Sequence, residues 1–283
     1  MALIGTGGIG KTSVILTVLH NRDIKERFGD NRWFIRCDQF PPFHAHFLQK
    51  LSEVTGAGVE NPEALSPLRR YLSSKEMIIV LDNAESILGL PETSAQEIHS
   101  IVDELSQFSN ICLVITSRLS NAFPTHCEVI EIPTLSTEAG HDTFYRIYRL
   151  GERCGEISEI LTELDFHPLS VTLLATVAQQ NRWNIKRLTT EWENQRTDVL
   201  RTRNLGSLAA MVELSLASPM FQELGLDARG LLEVVAFFSQ GVKEDNIGGL
   251  FPTISDGPST FDTFYNLSLT HRGNGFITML APL

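Results

Sequence analysis

The sequence predicts an α/β protein: a parallel sheet with helices on both faces, followed by a helical domain and a smaller end domain. Two observations carry this reading. Continuous apolar runs, Met77-Ile78-Ile79-Val80-Leu81 and Ile111-Cys112-Leu113-Val114-Ile115, have the pattern of strands buried on both faces. Between them Ile98, Ile101, Val102, Leu105 and Phe108 keep helical spacing, so strand and helix alternate as a parallel sheet requires.

Taken in order, Ala2-Leu3-Ile4 is a short strand that feeds a glycine cluster, and 11–28 a helix closed by Gly29. A second strand is expected at 33–37. Helices follow at 43–54 and 62–72, joined by a loose G-A-G-V-E-N linker. Next come the strand ending in Asp82, the amphipathic helix, the strand running into Thr116-Ser117-Arg118, and a short strand E-V-I-E-I at 128–132. Beyond Ile132 helical periodicity takes over. Ser136 offers a helix cap, and helices are expected at 136–150, 156–165, 168–180 and 184–197. The polar stretch R-T-D-V-L-R-T-R-N-L-G reads as a linker. Helices at 207–217, 227–238 and 258–269 and a final strand G-F-I-T-M-L then suggest a winged helix. The expected domains are 1–132, 133–200 and 201–283.

Composition narrows the function. A net charge of −11 argues against broad contact with nucleic acid or anionic membranes. No apolar run approaches the roughly 18 residues of a membrane span, and the N-terminus lacks a signal-peptide pattern. The four cysteines have no C-x-x-C spacing and read as free thiols of a reducing compartment. A soluble, cytoplasmic protein is expected, which leaves the N-L-S triplet at Asn266 without meaning as a glycosylation site.

The chemistry concentrates in Gly5-Thr6-Gly7-Gly8-Ile9-Gly10-Lys11-Thr12, followed by Ser13, which matches G-x-x-x-x-G-K-[ST] at every fixed position. Glycines let successive backbone N–H groups converge on anionic oxygens, and a helix starting at Lys11 aims its positive end at the same point. Lys11 supplies a mobile charge for phosphates and Thr12 a hydroxyl for Mg²⁺. Asp82, at the end of a buried strand, is the expected second Mg²⁺ contact; the plain alternative is a turn residue capping the next helix. Where many ATPases carry a second acid, this chain has Asn83, which cannot accept a proton. Glu85 is the nearest replacement, or else a surface cap. Arg118 falls on the same sheet edge as Lys11 and Asp82, able to sense a γ-phosphate, or else is a solvent-facing arginine.

This order of elements resembles the STAND class of P-loop NTPases, and within it the NB-ARC modules of NLR-type receptors, particularly fungal NLR-like proteins. The resemblance covers essentially the whole chain. It implies ATP and ADP as ligands, Mg²⁺ as cofactor, and Phe166-His167-Pro168-Leu169-Ser170 as the segment whose proline, Pro168, packs near the adenine. Read without the family, that segment is a turn entering a helix with Pro near its first position. The family's M-H motif aligns with Met279-Leu280-Ala281-Pro282-Leu283, where Leu280 replaces the phosphate-sensing His. The resemblance further implies a module cut from a longer protein, with a truncated winged-helix-like domain and effector and sensor domains elsewhere.

The leading function is thus a nucleotide-dependent molecular switch with slow or absent hydrolysis, self-associating or acting on its effector and sensor domains. A degenerate P-loop scaffold that serves only as an interaction module is the alternative. A small-molecule kinase would need an Arg-rich lid that the sequence lacks. A DNA-binding regulator fits poorly, since residues 201–283 hold five Lys/Arg against eight Asp/Glu.

Overall fold

The computed structural model describes residues 1–57, 65–89, 92–118, 123–124, 126–201, 207–225, 227–238, 241–250, 257–273 and 275–279. The chain divides into two compact units, Met1–Pro133 and Thr134–Leu283.

The first unit runs β1 (Ala2–Ile4), α1 (Lys11–His20), α2 (Arg22–Phe28), β2 (Arg32–Arg36), α3 (His44–Thr55), α4 (Leu65–Leu72), β3 (Met77–Asp82), α5 (Glu85–Leu88), α6 (Glu92–Gln107), β4 (Ile111–Ser117) and β5 (Val129–Glu131). The strands form one sheet in the order β2-β3-β4-β1-β5, and every neighbouring pair is parallel. All carboxyl ends therefore open on one edge, with Arg36 opposite Asp82, Leu81 opposite Ile115, and Ile4 opposite both Ser117 and Glu131.

The apolar run of β3 is buried on both sheet faces, and that of β4 is too except for Cys112 near its start. Cys112 is exposed, which departs from the expected fully buried run. Met77, Ile79 and Leu81 join one core with Phe47, Leu48, Leu51, Ile98 and Val102. Ile78 and Val80 face the other, with Leu3, Ile15, Leu19, Phe28 and Val114. At the outer edge β5 differs: Val129, Ile130 and Glu131 are all exposed.

Two expectations for local structure are corrected. The helix expected over 11–28 is two helices, because Asn21 is extended (φ −59°, ψ 145°) and its side chain accepts a 2.8 Å bond from the Asp23 N–H. Asparagine competes well for that capping position and restarts the helix. The 196–206 linker is partly helical, since α10 continues to Arg201; 202–206 lie outside the described residues. No glycine or proline occurs between Ile185 and Arg201, so nothing in that range stops the helix. Of the G-A-G-V-E-N linker, Gly56 closes α3 in a left-handed conformation (φ 70°), and the segment from 58 lies outside the described residues.

The second unit contains α7 (Thr137–Ile147), α8 (Glu156–Glu163), α9 (Pro168–Gln180), α10 (Ile185–Arg201), α11 (Ser207–Leu216), α12 (Pro219–Gln222), α13 (Asp227–Phe237), β6 (Val242–Lys243), α14 (Ile247–Leu250), α15 (Gly257–Asn266), β7 (Thr270–Gly273) and β8 (Phe276–Met279). Ser136 caps α7 as expected, accepting from the Ala139 N–H at 3.2 Å. The three strands form an antiparallel sheet, β6-β8-β7, of which the sequence disclosed only β8. A single apolar cluster runs through this unit from Phe144 to Ile277, with Leu174, Val177, Leu188, Met211, Phe261 and Phe264 fully buried. Among the described residues no helix is long and apolar enough to cross a membrane.

Candidate functional site

The loop from Gly5 to Gly10 joins β1 to α1, at the sheet edge where the carboxyl ends gather. Its backbone explains the glycines. Gly5 (φ 152°) and Gly10 (φ 105°) adopt conformations that side chains resist, and a Cβ on Gly5 would lie 3.1 Å from Ile9 Cγ2. Gly10 caps α1, so the N–H groups of Lys11, Thr12 and Ser13 have no partner inside the helix and face the loop. Ile9 is buried and anchors the loop, while Thr6 and Ser13 are exposed.

Lys11 is nearly buried. Its ammonium donates to the carbonyls of Gly5 (2.7 Å) and Thr6 (3.0 Å), which hold the charge inside the loop. Burial lowers the Lys11 pKa from its ordinary value; Glu85 opposes that shift, Arg118 adds to it, and Asp82 opposes it. The ammonium is held against two backbone carbonyl acceptors, largely out of solvent.

Thr12 Oγ1 donates to Asp82 at 3.0 Å (Oδ1) and 3.1 Å (Oδ2), and Thr116 Oγ1 donates to Asp82 Oδ1 at 2.6 Å. Burial raises the Asp82 pKa, the bonds from Thr116 and Thr12 counteract it, and Asp38 and Arg36 act in opposite senses beyond them. A hydroxyl and a carboxylate converging within 3.1 Å form a hard-oxygen pair suited to Mg²⁺, so Thr12 and Asp82 fit the ion that the fold implies. A bound Mg²⁺ would neutralise phosphate charge there.

Glu85 begins α5 and meets Arg118, just after β4. The guanidinium Nε lies 3.1 Å from Glu85 Oε1, and the Arg118 N–H donates to Oε2 at 3.3 Å. Glu85 Oε1 is buried and is held by the ion pair with Arg118 rather than by a hydrogen bond. Lys11, Thr12, Asp82, Glu85 and Arg118 are thus brought together. Pro168 stands in the second unit as the first residue of α9, after the left-handed residues Asp165 (φ 49°) and Phe166 (φ 50°). His167 precedes it as N-cap and is buried, with its Nδ1 3.5 Å from Ser170 Oγ. Of Met279-Leu280-Ala281-Pro282-Leu283, only Met279 lies within the described residues, at the end of β8.

Two side chains beside this site were not singled out in the sequence. Asp38, just beyond β2, accepts from Asn83 Nδ2 at 3.2 Å and pairs with Arg36 at 2.8 Å. The signal for both was the strand-end rule, applied to β2 as well as to its neighbours.

Comparison with solved structures bears on the fold. The Walker-type ATPase PABY2304 of Pyrococcus abyssi superposes with a TM-score of 0.51 at 13% identity, covering 100% of this chain and 88% of that one. A signal transduction ATPase with numerous domains (STAND) with a tetratricopeptide repeat sensor, PH0952 from Pyrococcus horikoshii, superposes with a TM-score of 0.60 at 13% identity over 98% of this chain. The chain has the P-loop NTPase fold. It spans 38% of the length of the STAND protein. No family model matches the sequence, and no curated protein is significantly similar to it. In this P-loop fold the glycine loop, the Asp-ended strand and the polar end of the next strand occupy one edge of the sheet, whatever the sequence distance between them.

Proposed function

We propose that the protein is a nucleotide-dependent switch module of a STAND-type, NB-ARC-like signalling protein. It binds ATP and ADP with Mg²⁺, with slow or absent hydrolysis. One observation carries the reading: Lys11, Thr12, Asp82 and the Glu85–Arg118 pair converge beside a glycine loop at the carboxyl ends of parallel strands. Gly5, Thr6, Gly7, Gly8, Ile9, Gly10 and Ser13 supply the loop that wraps the phosphates. Lys11 neutralises their charge, and Thr12 with Asp82 holds Mg²⁺. Glu85 accepts the proton of the attacking water, and Arg118 senses the γ-phosphate. Pro168 serves the base side. The STAND likeness of the fold supports the family assignment.

Residues 133–200 are read as a helical domain and 201–283 as a winged-helix-like domain. The order of helix α13, strand β6, helices α14 and α15, and hairpin β7–β8 supports the latter. The partners are nucleotide, a second copy of the chain, or effector and sensor domains, in the cytoplasm, without contact to nucleic acid or membrane. The second reading is a degenerate scaffold that kept the fold but binds no nucleotide and acts only as an interaction module. It is favoured by Asn83 in place of an acid and Leu280 in place of a His.

Denaturing the purified protein and identifying the released nucleotide tests the switch; ADP is expected, and an empty site favours the scaffold. Lys11→Ala, which removes the cradle's cation, is expected to weaken ATP binding by about a hundredfold or more. Unchanged ATP affinity in that variant would sink the phosphate-site assignment.

A further inference from the structure

Asn83 leaves the chain without an acid directly after Asp82, yet a carboxylate stands one strand away. Arg36 pairs in register with Asp82, so the chain leaving β2 carries Asp38 past the end of β3. Asp38 Oδ2 accepts from Asn83 Nδ2 at 3.2 Å. Arg36 clamps the same carboxylate from the other side, with Nη2 to Oδ2 at 2.8 Å and Nε to Oδ1 at 3.2 Å. The Asp38 side chain is only 15% exposed, which strengthens both contacts relative to an open surface pair.

The amide it holds sits at a strained point. Asn83 has φ 56°, a left-handed conformation that asparagine tolerates better than most residues. Its own N–H donates to Thr116 Oγ1 at 3.0 Å, and the Ala84 N–H donates to the Thr116 carbonyl at 2.9 Å. The turn is therefore gripped through its main chain by β4 and through its side chain by Asp38. Glu85 follows two residues later, with its carboxylate on Arg118 and its charge acting on Lys11.

We infer that Asp38 is a positioning residue for ATP hydrolysis: through Asn83 it fixes the left-handed turn that delivers Glu85 to the phosphate site. The inference rests on the nucleotide-binding reading. In the step itself, the water oxygen bonds to the γ-phosphorus as the bond to the bridging oxygen breaks. Glu85 takes the water's proton, and ADP and inorganic phosphate leave. Asp38 touches none of these atoms.

The test is single-turnover ATP hydrolysis by the whole chain, alongside equilibrium titration with a fluorescent ATP analogue and a thermal melt. Asp38→Ala frees Asn83 and is expected to slow hydrolysis about tenfold or more, with ATP affinity held within about twofold. Asp38→Asn keeps an oxygen for the Asn83 amide and should lose less. Pairing Asp38→Asn with Asn83→Asp rebuilds an amide–carboxylate bond in the opposite sense and should recover rate relative to Asn83→Asp alone. Parallel loss of affinity and melting temperature in both Asp38 variants would make the residue merely structural and overturn the inference. A parent chain that binds ATP but never hydrolyses it, or an Asp38→Ala variant at the parent rate, overturns the role of Asp38 alone. A parent chain that binds no ATP overturns the nucleotide reading, and this inference with it.

Discussion

The two units spend their buried polar groups differently. At the sheet edge of the first unit, Lys11 and Asp82 are held almost free of solvent by short bonds to the loop and to two threonines. In the second unit the buried polar side chains among the described residues are uncharged hydroxyls and the His167 imidazole, and Ser215 and Ser218 bond carbonyls of their own segment. A buried hydroxyl bonded to a nearby carbonyl costs little. A buried ammonium or carboxylate is expensive, as the displaced pKa values of Lys11 and Asp82 record. The first unit accepts that expense where a ligand would exploit it, and the second is organised for packing.

The largest expected effect lies in the second unit. Leu174, fully buried in its apolar cluster, is expected to cost about 2–5 kcal/mol when changed to Ala, measured by denaturant unfolding. Asp82→Asn should behave in the opposite way. Asp82 has a raised native pKa, so its ionised form costs stability at neutral pH, and that cost fades as pH falls through the native value. The neutral amide should leave the melting temperature equal or higher while Mg²⁺-dependent ATP affinity falls about ten- to a hundredfold. The same sign predicts that Mg²⁺-dependent affinity in the parent chain weakens on acidification at a pH above that of an ordinary aspartate. A large drop in melting temperature for Asp82→Asn would erase the contrast between the units. The smallest effect belongs to Arg118→Ala. Its ion pair is 40% exposed on the arginine side, and its loss should reduce the preference for ATP over ADP by about tenfold without a stability change.

The same contrast decides what could be read in advance. The phosphate loop and Asp82 were legible because their chemistry fixes spacing: glycines at set positions, Lys11 and Thr12 after them, and an acid closing an apolar run. Arg118 followed from the rule that parallel strands end at one edge. Asp38 obeys the same rule, but β2 carries two arginines and a tryptophan, and its pattern did not draw attention to its end. The break at Asn21 was also present in the letters, as Asn-Arg-Asp, a capping signal masked by apolar spacing on both sides. In the second unit, helix spacing disclosed the long helices. It could not disclose β6, two residues long, or β7, Thr-His-Arg-Gly, whose strand character comes from pairing with β8 rather than from its own composition.

The outer strand of the parallel sheet bears on handling the protein in solution. β5 ends the sheet with Val129 and Ile130 side chains in water and with one row of backbone groups not engaged by β1. Strands of this kind template edge-to-edge self-assembly. Glu128 and Glu131 bracket the two apolar residues, and their like charges repel a second copy approaching the same edge. Two side chains outside the phosphate site thus guard this edge, and neutral substitutions there are expected to increase aggregation, measured by light scattering, with the fold and phosphate loop unaltered.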